Sequence, residues 1–325
     1  MRKKLAAGLV GVGVLAICCS DPLTLLAYPN ADPSELVADF GAPFGIWTLT
    51  GSLWTRLHGL NPVAMVTGDL DGSGQDDLVV NFGPGVGVYA WMNHATWMFI
   101  HSLSPSQMVT GDLDHDGRDD FVAVSPGNGV WRWTSGVWNS IHGRDATKLA
   151  TGQLDGIAGK ELILDFPDFG LYVYGNNISW AHIHPLQANS LLTADLDGNG
   201  RDEVVIDFSG YGLWVYRDNG TWSQLNQLSP AHLAAGDIDG TGRADLVVDF
   251  GALYGLWIFR NNTTWTFLHG LSAESIVLAD RDASGRDEII IGFWPGNGLW
   301  QYANDSAWSK LNSNSPESMV AGRFN

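Results

Sequence analysis

The sequence predicts an all-β protein, a seven-bladed β-propeller of four-stranded blades whose ring is closed by pairing of the N- and C-terminal segments. Three observations support this prediction. An acidic loop returns with a period of roughly 42 residues, strand-like segments and tight turns follow each loop, and the two chain ends together complete one repeat. With 45% hydrophobic residues and 15 tryptophans among 325 residues, the chain has ample material for a folded core.

The most complete copy of the acidic loop lies in the segment Val109–Val122, which reads VTGDLDHDGRDDFV. Asp112, Asp114 and Asp116 stand at loop positions 1, 3 and 5, a glycine follows, and Asp120 stands at position 9. Calcium prefers about six to eight oxygen ligands, and alternating carboxylates followed by a glycine for the sharp turn are typical of a calcium loop. The residue at position 7 can offer only its backbone carbonyl.

Seven copies of this loop recur along the chain. They begin at Asp69, Asp112, Gln153, Asp195, Asp237, Asp280 and Arg323. Five of them keep oxygen-bearing residues at positions 1, 3, 5 and 9, so the sequence predicts about five Ca²⁺ sites. With the carbonyl at position 7 included, the predicted ligands are Asp69, Asp71, Ser73, Gln75 and Asp77; Asp112, Asp114, Asp116, Arg118 and Asp120; Asp195, Asp197, Asn199, Arg201 and Glu203; Asp237, Asp239, Thr241, Arg243 and Asp245; and Asp280, Asp282, Ser284, Arg286 and Glu288.

The other two copies lack this ligand set. The copy that begins at Gln153 keeps Asp155 and Glu161, but Ile157 and Ala158 replace the position-5 ligand and the glycine. The copy that begins at Arg323 is cut short by the end of the chain. We therefore expect no calcium in either.

Each loop is flanked by segments with the composition of β-strands. Around the loop at Asp195, four short runs rich in β-branched and aromatic residues alternate with turns that contain glycine or Asn-Gly. These runs are Leu191–Ala194, Glu203–Phe208, Leu213–Tyr216 and Trp222–Asn226. Four short strands joined by such turns within one repeat are typical of a propeller blade.

The two ends of the chain match different parts of the same repeat. The run Glu35–Phe40 matches Asp77–Phe82, and Val320–Asn325 matches Val66–Asp71. The last strand therefore completes the blade that Glu35 begins, which closes a ring of seven and leaves no open sheet edge. The predicted domains are a signal peptide with its lead-in at 1–27 and the propeller at 28–325.

The N-terminus reads as a secretory signal peptide. A basic start at residues 2–4 precedes the apolar run Leu5–Ile17, which is shorter than the roughly 20 residues that a membrane-spanning helix needs. We therefore expect a secreted, cell-surface or periplasmic protein with no transmembrane span, and a lipid anchor at Cys18 is the alternative to simple cleavage. Cys18 and Cys19 are the only cysteines, so the exported body has no disulfide, and calcium is the expected stabiliser.

The charge of the chain bears on its partners. A formal net charge of −18 with no basic patch argues against a nucleic-acid partner, because nothing would release counterions from phosphates. We expect a monomer.

Aromatic residues recur with the same period as the loops. Each repeat carries a tryptophan followed four residues later by histidine or asparagine, and a second aromatic residue opens the preceding strand. Packing between stacked blades explains this pattern, and sugar sites in which indole rings stack on pyranose rings are the alternative. On that alternative, the candidate ligand-binding residues are Trp54 and His58, Trp97 and His101, Trp138 and His142, and Trp265 and His269.

The Gly-Asp-Leu-Asp-Gly loops, the strand after each loop, and the turns at Phe40–Pro43 and Phe250–Ala252 resemble the FG-GAP/VCBS repeat family. The resemblance covers the chain from Glu35 to Asn325. It implies an integrin-α-like propeller with seven blades and with calcium in the loop between the first and second strands of a blade. It does not imply one activity, because this fold hosts adhesion receptors, lectins and polysaccharide lyases.

The sequence therefore predicts a secreted, calcium-binding module that adheres to carbohydrate or to a surface partner, and it favours binding over catalysis. Two alternatives stay open: a polysaccharide lyase or other glycan-active enzyme on the same fold, and a propeller that binds only proteins. A reaction centre should break the symmetry of the repeats, and few residues do so: Arg132, Lys160, His182, His184 and Trp294. No Ser-His-Asp order and no phosphate-binding loop is present in the sequence.

Overall fold

The computed structural model describes residues 33–218, 220–293 and 296–324, which form 28 β-strands and no helix. Those residues accordingly include no helix that could cross a membrane. The signal peptide predicted at 1–27, the lipid-anchor site Cys18 and the residue Trp294 lie outside the described residues.

The strands are short and nearly uniform in length. In chain order they are β1 (Glu35–Asp39), β2 (Ile46–Thr50), β3 (Leu53–His58), β4 (Ala64–Gly68), β5 (Asp77–Asn81), β6 (Val88–Met92), β7 (Thr96–His101), β8 (Gln107–Gly111), β9 (Asp120–Ser125), β10 (Gly129–Thr134), β11 (Val137–His142), β12 (Lys148–Gly152), β13 (Glu161–Phe166), β14 (Gly170–Gly175), β15 (Ser179–His184), β16 (Ala188–Ala194), β17 (Glu203–Phe208), β18 (Gly212–Arg217), β19 (Thr221–Asn226), β20 (His232–Gly236), β21 (Asp245–Asp249), β22 (Leu256–Arg260), β23 (Thr264–His269), β24 (Ala273–Ala279), β25 (Glu288–Phe293), β26 (Gly298–Ala303), β27 (Ala307–Asn312) and β28 (Ser318–Gly322).

These strands form seven antiparallel, four-stranded sheets, which are the blades of the ring. Blade 1 has the order β28, β1, β2, β3, and blades 2 to 7 take the remaining strands four at a time, from β4–β7 to β24–β27. The prediction of an all-β, seven-bladed propeller is confirmed. The first strand of each blade lies at the centre of the ring, since the first strands of neighbouring blades contact one another.

The second strand of each blade is buried along its whole length, apart from the last residue of β9, because it is covered by a neighbouring blade on each face. In β17 all six residues of the run Glu-Val-Val-Ile-Asp-Phe are buried. A strand that is covered on both faces reads as a continuous apolar, β-branched run rather than as an alternating one. The second strands are therefore easy to recognise in the sequence as continuous apolar runs.

The chain ends close the ring in the predicted way. β28 pairs antiparallel with β1, with Leu36 opposite Ala321 and Val37 opposite Val320. Phe324 beyond β28 is 1% exposed and packs in the core between blades 1 and 2. The last strand therefore removes the sheet edge that β1 would otherwise present.

A series of backbone hydrogen bonds runs from loop to loop around the ring. The residue before each position-9 carboxylate donates its N–H to the position-1 carbonyl of the preceding blade, as Asp119 does to Asp69 at 2.7 Å. The series closes through the chain ends, where Asp76 N–H donates to the Arg323 carbonyl at 2.6 Å and Ser34 N–H donates to the Asp280 carbonyl at 2.8 Å.

The ring has two unlike ends because successive strands run in opposite directions. The acidic loops and the hairpin turns between third and fourth strands lie at one end, which we call the loop end. The turns between second and third strands and the connections from blade to blade lie at the other end, which we call the turn end.

Candidate functional site

The five predicted calcium loops share one hydrogen-bonded shape. In the first of them, Oδ1 of Asp69 accepts the N–H of Ser73 at 2.9 Å, and Oδ2 accepts the N–H of Gly74 at 2.7 Å. The same two bonds, to the position-5 and position-6 N–H groups, recur at Asp112, Asp195, Asp237 and Asp280. The aspartate at position 1 thus curls the loop around its own carboxylate.

The carboxylate at position 9 connects each loop to the body of the blade. Asp77 is fully buried, and its two oxygens accept the N–H groups of Leu70 at 3.0 Å and of Asn93 at 2.8 Å. Asn93, in the hairpin turn, also donates its Nδ2 to Asp71 at 2.6 Å. The loop and the hairpin turn of a blade therefore form one polar cluster at the loop end.

Carboxylates converge in most of these loops. Ligand oxygens lie within 4.8 Å of one another in the groups Asp69, Asp71 and Asp77; Asp112, Asp114 and Asp116; Asp195, Asp197 and Glu203; and Asp280, Asp282 and Glu288. The loop at Asp237 is not in this set, and there Asn261 donates its Nδ2 to Asp239 at 2.7 Å.

The donor set fits a hard divalent cation. The converging side-chain atoms are carboxylate oxygens, which calcium prefers. Two buried oxygens of the five loops, Oδ2 of Asp245 and Oδ1 of Asp114, have no hydrogen-bond partner among the described residues, and the same holds outside these loops for one oxygen each of Glu161, Asp165 and Asp207. A buried carboxylate oxygen without a partner is costly, and a bound cation would satisfy it.

In one of the five loops, an arginine side chain contacts the carboxylates. In blade 3, Nη1 of Arg132 lies 3.4 Å from Oδ2 of Asp114 and 3.5 Å from Oδ2 of Asp120. The Thr134 hydroxyl also donates to Asp120. Because Arg132 and Thr134 both bind the Asp120 carboxylate, Asp120 is not among the converging carboxylates of its loop. Arg132 therefore contacts two of the predicted calcium ligands of this loop.

In the loop at Gln153, the side-chain amide of Gln153 bonds to the backbone of its own loop. Its side-chain Nε2 donates to the carbonyl oxygens of Ile157 and Gly159, the latter at 2.9 Å, and its Oε1 accepts the N–H of Gly156 at 2.7 Å. Gly159 occupies position 7, whose carbonyl was the predicted calcium ligand in the other loops. The amide nitrogen of Gln153 thus binds the carbonyl that calcium would otherwise bind.

Burial raises the pKa of every position-9 carboxyl in the five loops. The pKa is about 6 for Asp77, Asp120 and Asp245 and about 7 for Glu203 and Glu288, in each case chiefly because burial penalises the charged form. A divalent cation beside these groups would favour the charged form and remove this penalty.

These raised values predict how stability depends on pH when calcium is withheld. The folded state then binds more protons than the unfolded state between the unfolded pKa values of about 4 and the folded values. The stabilisation is fully present below about pH 4 and is lost as the pH rises through about 6 to 7. Thermal melts in EGTA should therefore show a lower melting temperature at pH 7.5 than at pH 5. A melting temperature that rises over this range would contradict the prediction.

At the turn end, aromatic residues of neighbouring blades meet in clefts. Where a repeat carries histidine, that histidine packs on the tryptophan of the next blade, with ring centroids 5.4 Å apart for His58 and Trp97, 5.5 Å for His101 and Trp138, and 5.4 Å for His142 and Trp180. Sequence reasoning grouped each tryptophan with the histidine four residues later, whereas the structure brings together residues about 40 positions apart.

The alternation of histidine and asparagine has a hydrogen-bonding reason. Nδ1 of His101 accepts the N–H of Leu103 at 3.0 Å, and Oδ1 of Asn226 accepts the N–H of Leu228 at 2.9 Å. Both side chains thus cap the connection to the next blade. Because Nδ1 is an acceptor, the neutral ring of His101 carries its proton on Nε2, which is the donor that remains for other partners.

Among the described residues, two of the clefts at this end can hold part of a small molecule. The cleft between blades 2 and 3 has a volume of about 280 Å³ and is lined mainly by apolar and aromatic side chains, including Trp131 and Trp138. The cleft between blades 3 and 4 has a volume of about 220 Å³ and is lined by His142, Arg144, Phe166, Phe169, Tyr172 and Trp180. In the second cleft the Arg144 guanidinium lies over the Phe169 ring at 4.2 Å.

The turn end also exposes more large apolar side chains than its counterpart. Those at the tips of its turns and connections are Phe44, Leu60, Val86, Leu103, Phe169, Leu186, Tyr211, Leu253, Tyr254 and Leu271. The loop end instead carries the carboxylates. The two ends of the ring therefore suit different chemistry.

Among the described residues that break the repeat symmetry, Arg132, His182 and His184 do not lie together. Arg132 contacts loop carboxylates, whereas Nε2 of His182 lies 3.2 Å from the Phe169 carbonyl at the turn end. His184 packs on Phe208 with ring centroids 4.4 Å apart. Among the described residues, this set is spread over both ends of the ring.

The fold and these features define a seven-bladed propeller with acidic loops at one end and aromatic clefts at the other. No family model and no curated protein sequence matches the chain. It resembles the solved structure of an Agrocybe aegerita lectin that recognises non-reducing terminal N-acetylglucosamine, with a TM-score of 0.67, 14% identity, and coverage of 89% of this chain and 94% of the lectin.

Two other solved structures share the fold. The GH74 xyloglucanase from Xanthomonas campestris gives a TM-score of 0.56 and 13% identity, with 87% of this chain covered and 53% of the enzyme. BBS1N in complex with ARL6DN gives a TM-score of 0.58 and 12% identity, with coverage of 82% and 90%. At these identities the likeness shows the fold alone.

Proposed function

We propose that the protein is a calcium-stabilised binding propeller that holds carbohydrate in the clefts between neighbouring blades at its turn end. The observation that carries this proposal is the pairing, at several blade junctions, of a histidine from one blade with a tryptophan from the next. Aromatic walls with a few polar groups at fixed positions are the usual lining of a small-ligand site.

The chemistry of the clefts suits a sugar. An aromatic ring can pack against the apolar face of a pyranose, while Nε2–H of a histidine or the Arg144 guanidinium can donate to hydroxyl oxygens. The likeness to the Agrocybe aegerita lectin, which recognises non-reducing terminal N-acetylglucosamine, supports this proposal at the level of fold.

Because the clefts recur around the ring, several weak sites could bind one surface together and so bind it with higher avidity. Linking weak sites on one rigid body raises avidity by about 10²–10⁴ on a polyvalent surface without any new contact. The partner that fits this arrangement best is a surface carrying many copies of one glycan.

The calcium sites belong to the same proposal. We infer that the five acidic loops hold Ca²⁺, with the residues predicted above as ligands, and that the cation neutralises the buried carboxylates. Calcium modules of this kind are occupied outside the cytosol, which agrees with the predicted export of the chain. Membership of the FG-GAP/VCBS repeat family stays a prediction.

A glycan-array screen with and without a chelator tests the proposed function. We expect binding to a defined glycan in millimolar calcium and its loss in EGTA. Titration calorimetry with the free glycan should then give a weak affinity and a stoichiometry above one, because several clefts share the same architecture. Absence of binding across a broad panel in calcium would reject carbohydrate as the ligand.

A matched pair of variants in blade 4 locates the site. Tyr172→Ala removes an aromatic wall of a cleft, so it should lower the stoichiometry of glycan binding. Ile178→Ala removes an 84% exposed apolar side chain from the hairpin turn at the loop end of the same blade and should leave binding unchanged. Equal effects of the two substitutions would place the ligand elsewhere.

A further inference from the structure

We propose that the cleft between blades 2 and 3 is a distinct site that takes one aromatic ring, or an apolar group of that size, carried by the ligand. The proposal rests on the proposed function, since it names the chemical group that one of the carbohydrate clefts recognises. It is carried by a break in the repeat at blade 3.

In the other six blades a phenylalanine occupies one fixed position, and where the preceding blade carries a histidine its ring packs beside that histidine. This phenylalanine ends the second strand or directly follows it. Its ring centroid lies 4.6 Å from that of the histidine for Phe82 and His58, 4.6 Å for Phe166 and His142, and 4.7 Å for Phe293 and His269. The phenylalanines at this position are Phe40, Phe82, Phe166, Phe208, Phe250 and Phe293. In blade 3 the residue is Ser125, so the ring is missing beside His101.

The space is not refilled by the neighbouring residues of β9. Ala123 and Ser125 lie on the same face of this strand because side chains two residues apart share a face, and both line the cleft. The corresponding residues of β13 are Leu164 and Phe166. Phe121, two residues before Ala123, is fully buried and forms an aromatic floor against Trp138, with ring centroids 6.0 Å apart.

A second aromatic residue of blade 3 has a smaller cross-strand partner than its equivalents in the other blades. Trp131 lines the cleft, and its cross-strand partner on β11 is Ser140. The equivalent aromatic residues of the other blades face long side chains, which are Arg56, Phe99, His182, Gln224, Phe267 and Lys310. Cross-strand neighbours normally cover one another, and the short Ser140 side chain can cover less of the Trp131 indole than a long side chain would.

The size and polarity of the cleft indicate the class of group that it accepts. Its volume of about 280 Å³ exceeds the roughly 150 Å³ of an apolar cavity that binds benzene. Ser125, Asn128 and Nε2–H of His101 supply polar groups, so a ligand with a polar body and one buried ring fits both parts. A ring bound here would take the place that phenylalanine takes in the other blades.

Fluorine NMR with 4-fluorophenol as the probe tests this site. We expect saturable binding to the wild-type protein. Ser125→Phe, which supplies the missing ring from the protein, should weaken that binding about tenfold or more. A second variant makes room for the new ring. It combines Ser125→Phe with Phe121→Leu, because the equivalent residues of β13 are Phe166 and the smaller Leu162.

The reverse change provides a matched control in the next blade. Phe166→Ser removes the ring beside His142 and should add a second site for the probe. An unchanged stoichiometry in a folded Phe166→Ser variant would count against the missing ring as the cause of binding.

The outcomes separate this inference from the proposed function. If wild-type protein shows no saturable binding of 4-fluorophenol, or if both Ser125→Phe variants fold and bind it within about twofold of wild type, the inference is wrong. Glycan-array binding would then still support the proposed function. Saturable probe binding that both Ser125→Phe variants lose, with no glycan bound on the array, would keep this site and reject carbohydrate.

Discussion

Withdrawing calcium is expected to lower the melting temperature by about 10 °C or more. A ligand that binds only the folded state stabilises it by about 2.7 kcal/mol per site at a hundredfold excess over Kd, and five loops have the ligand pattern. Without the cation, three carboxylates face one another within 4.8 Å in loops such as the one at Asp195. Differential scanning calorimetry in millimolar calcium and in EGTA measures the effect.

Two loop variants serve as controls for the calcium effect. Asp195→Ala removes a predicted ligand and should reduce the difference between the melts with and without calcium. Gln153→Ala removes an amide that bonds to the backbone of its own loop, where we predict no calcium, so it should lower both melting temperatures by a similar amount. Identical melts of the wild-type protein in calcium and in EGTA would contradict the calcium proposal.

Deleting residues 319–325 is expected to abolish the closed monomeric ring. The deletion removes most of β28 and the buried Phe324, leaving β1 with an unpaired edge and the core between blades 1 and 2 with a cavity. We expect aggregation or a large loss of soluble protein, measured by size-exclusion chromatography with light scattering. Deleting Asn325 alone provides the control, because it leaves β28 and Phe324 in place. A soluble monomer with wild-type melting after the longer deletion would show that the pairing of the ends contributes little.

Much of the fold could be predicted because the acidic loop and the strand-like runs around it recur in repeat after repeat. The run Glu203–Phe208 is apolar along its length since both faces are buried, and the loop at Asp195 marks where the preceding strand ends. The ends could be assigned because Glu35–Phe40 and Val320–Asn325 match different parts of one repeat. Strand limits were less accurate: β16 begins at Ala188, three residues before the predicted Leu191, because an irregularity in its pairing between Ala188 and Ser190 extends the strand.

The cleft geometry could not be predicted, because it depends on contacts between blades. His101 and Trp138 lie in different repeats, and no local sequence pattern predicts the contact between their rings. The role of Gln153 was missed for a related reason. In the sequence, glutamine at a ligand position indicates only that a calcium site is lost. The structure shows in addition that the Gln153 amide donates to the Gly159 carbonyl. Comparing the phenylalanine position across repeats would have singled out Ser125 from sequence, although its effect on volume requires coordinates.

The closed series of backbone bonds between loops makes the ring a set of coupled sites. In each of the five acidic loops, the position-1 aspartate offers its carboxylate to its own loop and accepts, through its backbone carbonyl, an N–H of the next blade. Ordering one loop therefore fixes an acceptor for the next, which lowers the entropy lost when that loop binds its own cation. We expect positive cooperativity in calcium binding that spreads from neighbour to neighbour. The Gln153 loop, ordered by its own amide, gives this spread a fixed starting point at blade 4.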